Sequence, residues 1–128
     1  MTAAGIPRRP GQVRVADVRL QSHRPELPPK RRPVILIRPT LDGWRVVALT
    51  TLRTYHDGRP REELYDPQTA GAHDASFLWG RVAVVPEIGV ERLIGRLSRR
   101  DADLVIETTS GLSLDDIEVF WEAIQRSA

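Results

Sequence analysis

Apolar and polar positions begin to alternate at Gly11, where Gln12-Val13-Arg14-Val15-Ala16-Asp17-Val18 carries β-formers in partial alternation, the mark of a half-buried strand. Residues 1–10 show small residues, two prolines and no periodicity, and are read as a disordered tail. From Gln21 to Arg32 the pattern stops: Pro25, Pro28, Pro29 and scattered charges predict a loop long enough to draw attention to function. Pro33-Val-Ile-Leu-Ile-Arg38 is a compact apolar run, a buried strand that starts at its proline. Asp42-Gly43 supplies a turn and Trp44 to Thr51 a second strand, so residues 33–51 predict a β-hairpin. Arg53 to Asp74 has few apolar anchors and several turn pairs, and reads as a second long loop with a short strand near Glu62–Tyr65. Ser76 to Val85 is β-rich, one or two core strands with Gly80 as a bend or bulge.

After Pro86 the period changes. Val90, Leu93, Ile94 and Leu97 follow helical spacing, interrupted by Gly95. Ser98-Arg-Arg-Asp101 and Ser113-Leu-Asp-Asp116 both fit the capping box, in which a serine and an acid three residues on satisfy free N–H groups at a helix start. Helices are therefore expected at about 99–108 and 114–126. The second places Ile117, Phe120, Trp121 and Ile124 on one face, with Leu112 able to staple onto Ile117, and leaves Asp115, Asp116, Glu118 and Glu122 as an acidic face. Strands followed by helices predict an α+β domain over residues 11–128, a small antiparallel barrel or curled sheet covered by helices.

Composition narrows the chemistry. A chain of 128 residues fits one domain with a real core. It has no cysteine, and His23, His56 and His73 are scattered, so neither a thiolate nor an all-histidine zinc site is expected. No apolar run approaches a membrane span, and no apolar stretch follows the N-terminal arginines as in a signal peptide; a cytoplasmic protein is the expectation. The net charge of +2 conceals an asymmetry. Basic residues dominate through Arg32, whereas after Arg100 only Arg126 opposes a run of acids, an arrangement that fits a polyanion-facing end.

Several segments, in order, resemble toxins of the MazF/PemK type. Pro10-Gly11-Gln-Val13 through Val18 is similar to the family's opening strand, and Lys30-Arg31-Arg32-Pro33-Val34-Ile35-Leu36-Ile37 to its basic pair, Arg-Pro and apolar strand. Val46-Val-Ala-Leu-Thr50-Thr51 resembles the strand that ends in a threonine pair. Asp74-Ala-Ser76, Val85-Pro86 and Ile94-Gly95-Arg-Leu97 resemble later landmarks. The likeness covers residues 10–106. Two departures stand out: the loop before Arg32 lacks the family's Gly-x-Glu-Gln stretch, and Trp79-Gly80-Arg81 stands where many members carry an acidic or amide residue.

The resemblance implies a small SH3-like β-barrel, a homodimer neutralised by an antitoxin, and sequence-specific cleavage of single-stranded RNA (mRNA) by 2′-OH attack without a metal or other cofactor. Arg32 falls on the family's catalytic arginine and Thr50 on its threonine. An antiparallel hairpin brings those two strand ends together. Lys30, Arg31, Thr51, Arg53 and Arg81 are the candidate substrate contacts, and Trp44 or Trp79 the candidate base platforms, each also readable as ordinary surface or core. His56 can titrate near neutrality and also reads as a solvated loop histidine. Arginine is a poor base, so Arg32 is expected to stabilise charge. The alternative is a catalytically inactive or protein-targeting module on the same barrel, as in the related gyrase-poisoning toxins.

Overall fold

The protein is an antiparallel five-stranded sheet with two helices, in a computed structural model that describes residues 5–19 and 28–126. The strands are β1 (Gln12–Val18), β2 (Lys30–Thr40), β3 (Gly43–Thr50), β4 (Phe77–Val85) and β5 (Val90–Arg96); the helices are α1 (Arg99–Thr108) and α2 (Leu114–Arg126). Their order in the sheet is β4-β3-β2-β1-β5. The α+β class is therefore as the pattern predicts, but the sheet is not closed: β4 and β5 are its two edges. Of the proline-rich segment, Gln21 to Leu27 lies outside the described residues, as do the first four residues of the expected tail.

Both faces of the sheet are buried. Val13, Ile35, Ile37, Val47, Leu49 and Leu78 join Val105 of α1 and Phe120 and Ile124 of α2 in one core. On the other face Ala16, Val18, Val34, Leu36, Trp44, Val46 and Ala48 form a second core with Val85 of β4 and Val90 of β5. Residues of the two edge strands meet in that second core, so the sheet curls. A strand buried on both faces has no polar side to show, which is why 34–37 and 46–49 are unbroken apolar runs.

Short segments cover the edges. Residues 62–69 cross from one edge to the other: Leu64 N–H donates to Ser76 O and Leu78 N–H to Glu62 O, both at 2.9 Å, and Arg96 N–H donates to Thr69 O at 3.0 Å. The short strand expected near Glu62–Tyr65 is a bridge pairing Glu63 with Phe77. The described part of the expected tail is fastened down. Arg8 donates to Val90 O at 2.6 Å, and the buried Arg14 donates to Ile6 O, Glu91 O and Gln12 Oε1.

One element differs from its prediction. Residues 90–96 form a strand, β5, and not a helical stripe. Opposite β1, Val90 pairs with Ala16, Leu93 with Arg14 and Gly95 with Val13, so β5 carries an extra residue at each of two irregularities. Those bulges stretch a two-residue period to three and imitate a helix. The helices start as expected: Ser98 Oγ accepts from Asp101 N–H, and Ser113 and Asp116 make the reciprocal box. No helix among the described residues is long and apolar enough to cross a membrane.

Candidate functional site

Arg32 and Thr50 meet. The β2–β3 register, Val34 opposite Ala48, carries Arg32 to the position facing Thr50. The Arg32 Nη1 stands 3.4 Å from Thr50 Oγ1, long for a hydrogen bond. The same Oγ1 accepts from Leu52 N–H at 3.2 Å, which fixes the hydroxyl where the chain leaves β3. Thr50 is buried and Arg32 half-buried, and Arg32 Nε is buried with no partner. Among the described residues Arg32 has no ion pair. Burial, and then the charge of Arg61, push the Arg32 guanidinium below the ordinary arginine range.

Around this pair lies a cluster of cations and rings. The Arg32 guanidinium is 5.6 Å from the centre of the Trp79 ring, and Arg61 is 4.3 Å from both the Trp79 and Tyr55 rings. Arg59 lies 4.9 Å from Tyr55, and Arg53 lies 5.5 Å from Phe77. Tyr55 and Arg61 arrive on a small hairpin-like excursion within the segment 53–74 that the sequence predicts as a long loop with several turn pairs. Tyr55 N–H donates to Arg59 O and Arg61 N–H to Arg53 O, both at 2.8 Å. Asp57-Gly58, flanked by Arg53, Tyr55, Arg59 and Arg61 at two-residue spacing, was the available signal. The β4 bulge at Gly80 completes the packing: its φ is +92°, and a Cβ there would lie 2.4 Å from the Tyr55 hydroxyl.

The remaining candidates are dispersed. Arg31 points elsewhere, into a two-pronged ion pair with Glu91 of β5. Lys30 and Thr51 are exposed beside Arg31 and Thr50. Arg81 is exposed on the β4 edge, where the backbone bridges Ser110, and no hydrogen bond or ring contact among the described residues joins it to the cluster. Trp44 is a core residue, 3% exposed, whereas Trp79 is half-exposed within the cluster. His56 is exposed on the 53–61 excursion, and His23 lies outside the described residues. No group of three or more His, Cys, Asp or Glu among the described residues is placed to hold a metal ion.

A cleft of about 850 Å³ lies away from these residues, between Ile6–Gln12, the end of β5 and the end of α2. Four arginines line it, Arg9, Arg96, Arg99 and Arg126, but its buried polar groups are already engaged. Gln12 bonds Arg9 N–H, Arg14 and Pro7 O, and Ser98 caps α1. The Arg32 cluster differs in kind. It holds two arginines, Arg32 and Arg61, each with a buried Nε that has no partner, beside a hydroxyl and several rings, an arrangement suited to an anion carried on an aromatic-bearing chain. No family model, curated protein or solved structure matches this chain.

Proposed function

We propose that the curled sheet is a small SH3-like barrel of the MazF/PemK type, and that its Arg32–Thr50 end cleaves single-stranded RNA. The observation that carries this reading is the meeting of Arg32 with Thr50, a half-buried cation and a fixed hydroxyl with no carboxylate between them. In such a site the 2′-hydroxyl loses its proton to water and attacks the adjacent phosphorus, the bond to the 5′-oxygen breaks, and that oxygen takes up a proton, which leaves a 2′,3′-cyclic phosphate and a 5′-hydroxyl. Arg32 faces the charge that builds on the phosphorane, where a preoriented cation is most effective. Thr50 donates to a non-bridging oxygen. Arg53 supplies a basic approach, with Arg59 beside it in an ion pair with Asp57, and the half-exposed Trp79 gives a base a surface to stack on. The likeness to these toxins extends the proposal to a homodimer held in check by an antitoxin.

Arg32→Ala is expected to lower cleavage of a mixed-sequence RNA by roughly 10²- to 10³-fold, with Thr50→Ala also strongly impaired and both variants keeping the wild-type circular dichroism. Products should carry 5′-hydroxyl ends. Wild-type rates in both variants, or 5′-phosphate ends, reject the site or the mechanism. A second reading has its own support: no carboxylate or imidazole contacts Arg32 or Thr50 among the described residues, so no general base is in place. That observation favours a non-catalytic module that binds an anionic partner through the same cluster. Wild-type protein that binds RNA without cutting it selects this second reading.

A further inference from the structure

We infer that Arg61 is the positioning residue of this site, holding the Trp79 indole beside Arg32 through its backbone carbonyls and a slot that Tyr55 completes. The inference rests on the anion-binding, RNA-cleaving reading of the Arg32–Thr50 pair.

Arg61 is only 9% exposed. Its Nη1 donates to Trp79 O at 2.7 Å and to Leu78 O at 3.3 Å, across the start of the β4 bulge. Its guanidinium packs at 4.3 Å from the centres of both Trp79 and Tyr55. The planar fork therefore grips Trp79 twice, by the ring and by the carbonyl, and Trp79 is the ring that lies against Arg32. Gly80, next along, admits the Tyr55 hydroxyl to a place no other residue would leave open.

The arrangement is costly, and its cost separates it from ordinary packing. Arg14, the other buried arginine, has its Nε on Gln12 and its remaining nitrogens on backbone carbonyls, and it fastens the chain at Ile6. Arg61 has a buried Nε with no hydrogen-bond partner, and among the described residues it has no ion pair. An unpaired buried cation is expensive, and a methionine would fill a slot between two rings without that penalty. Arginine alone brings a flat guanidinium that stacks between the rings while its Nη1 serves two carbonyls, and a second positive charge close enough to act on Arg32. An anion placed before Arg32 relieves the repulsion between the two, so Arg61 also raises the affinity of the site for a phosphodiester.

The test compares Arg61→Met, Arg61→Lys and Tyr55→Leu with the full-length wild type. It reads kcat and KM on RNA, and Kd for a 2′-deoxy oligonucleotide that cannot be cleaved. Tyr55 packs on Arg61, on Arg59 and against the bulge at Gly80, with no hydrogen bond or ring contact to Arg32 or Thr50 among the described residues, so Tyr55→Leu loosens the slot around Arg61 without touching the reacting pair. Arg61→Met is expected to lower kcat by about 10²-fold, the scale of a misplacement of about 1 Å, and Tyr55→Leu by a smaller factor. Arg61→Lys restores the charge but not the stack, and is expected to recover little of the lost rate while recovering affinity for the uncleavable probe. Wild-type kcat in Arg61→Met, or complete rescue by lysine, overturns the positioning role. If Arg61→Met does not fold, wild-type kcat in Tyr55→Leu overturns it equally. If the wild type binds the probe but does not cut, an unchanged probe Kd in Arg61→Met overturns the role and a weakened one supports it. A wild type that neither cuts nor binds shows instead that the Arg32–Thr50 reading has failed.

Discussion

Asp116 concentrates the tension between charge and burial at a single residue. It opens α2 as the acid of a capping box, yet its side chain is 0% exposed and accepts from Arg38 and Arg45 as well as from Ser113 N–H. Arg38 reaches it because β2 carries one extra residue between Leu36 and Arg38, which sets Arg38 opposite Arg45. Burial works against the ionised form, but the bonds from Arg45, Ser113 N–H and Arg38 outweigh it and bring the pKa down to about 2. A carboxyl whose folded pKa is depressed stabilises the protein above its unfolded value near 4 and loses that contribution as pH falls toward 2. The stabilisation is about 2 kcal/mol. Asp116→Asn should therefore lose about 3 kcal/mol at neutral pH, and the gap to wild type in urea unfolding should shrink between about pH 4 and pH 2. An unchanged gap across that window would show that the clamp is not electrostatic. From sequence, Asp116 belongs to the acidic solvent face with Asp115, Glu118 and Glu122. The capping box was legible because its partner is three residues away, whereas the two arginines arrive from another element through a bulge.

At the scale of elements, β5 and residues 62–72, the crossing segment with the turn that ends it, depend on close backbone approach. Gly95 lies on β5, and a Cβ there would meet the carbonyl carbon of Ala70 at 2.3 Å and Thr69 O at 2.6 Å. Neither neighbour is a side chain that can swing away. Gly95→Ala must push the crossing segment off the β5 edge and loosen Ala70 and Ala72 from the first core, at a cost of about 3 kcal/mol. Hydrogen exchange should report it first at Arg96 N–H, which donates to Thr69 O; wild-type protection there would mean that the edge is not held this way. The same place marks where sequence periodicity stops serving. The hairpin at 33–51 and both helices are local patterns with turn and cap residues in the expected places, and they form as written. β5 pairs with a strand more than seventy residues earlier, and its bulges exist only in that pairing. The candidate site divides in the same way. The Arg32–Thr50 meeting follows from one hairpin and could be anticipated, while Arg61 and Tyr55 reach Trp79 only because 53–61 folds back over the bulge of β4.

At the scale of the molecule, the two cores assign stability and site to opposite faces of one sheet. Arg32 and Thr50 continue the second face, in line with Val34, Leu36, Val46 and Ala48. α2 seals the first, through Phe120, which is fully buried, and Ile124. An acidic helix with one apolar face, such as α2, can dock on the sheet by packing and can also shield a basic surface by charge. Docking stands in the contacts. As for shielding, Asp116 is buried on its two arginines and Glu122 pairs with Arg126 of its own helix, which leaves Asp115 and Glu118 as the acids of that face without a partner among the described residues. Phe120→Ala should accordingly destabilise the fold by about 4 kcal/mol, and truncation after Gly111, which removes both the apolar cover and the Asp116 clamp, should cost more. Neither change should tighten binding of a single-stranded oligonucleotide at low salt, since α2 covers the face opposite Arg32. Calorimetry and a salt titration of Kd on the protein truncated after Gly111, measured where it is still folded, separate the two roles. A tighter Kd at low salt with unchanged melting would make α2 a removable electrostatic cover, and an earlier melt with the same Kd fixes it as the wall of the first core.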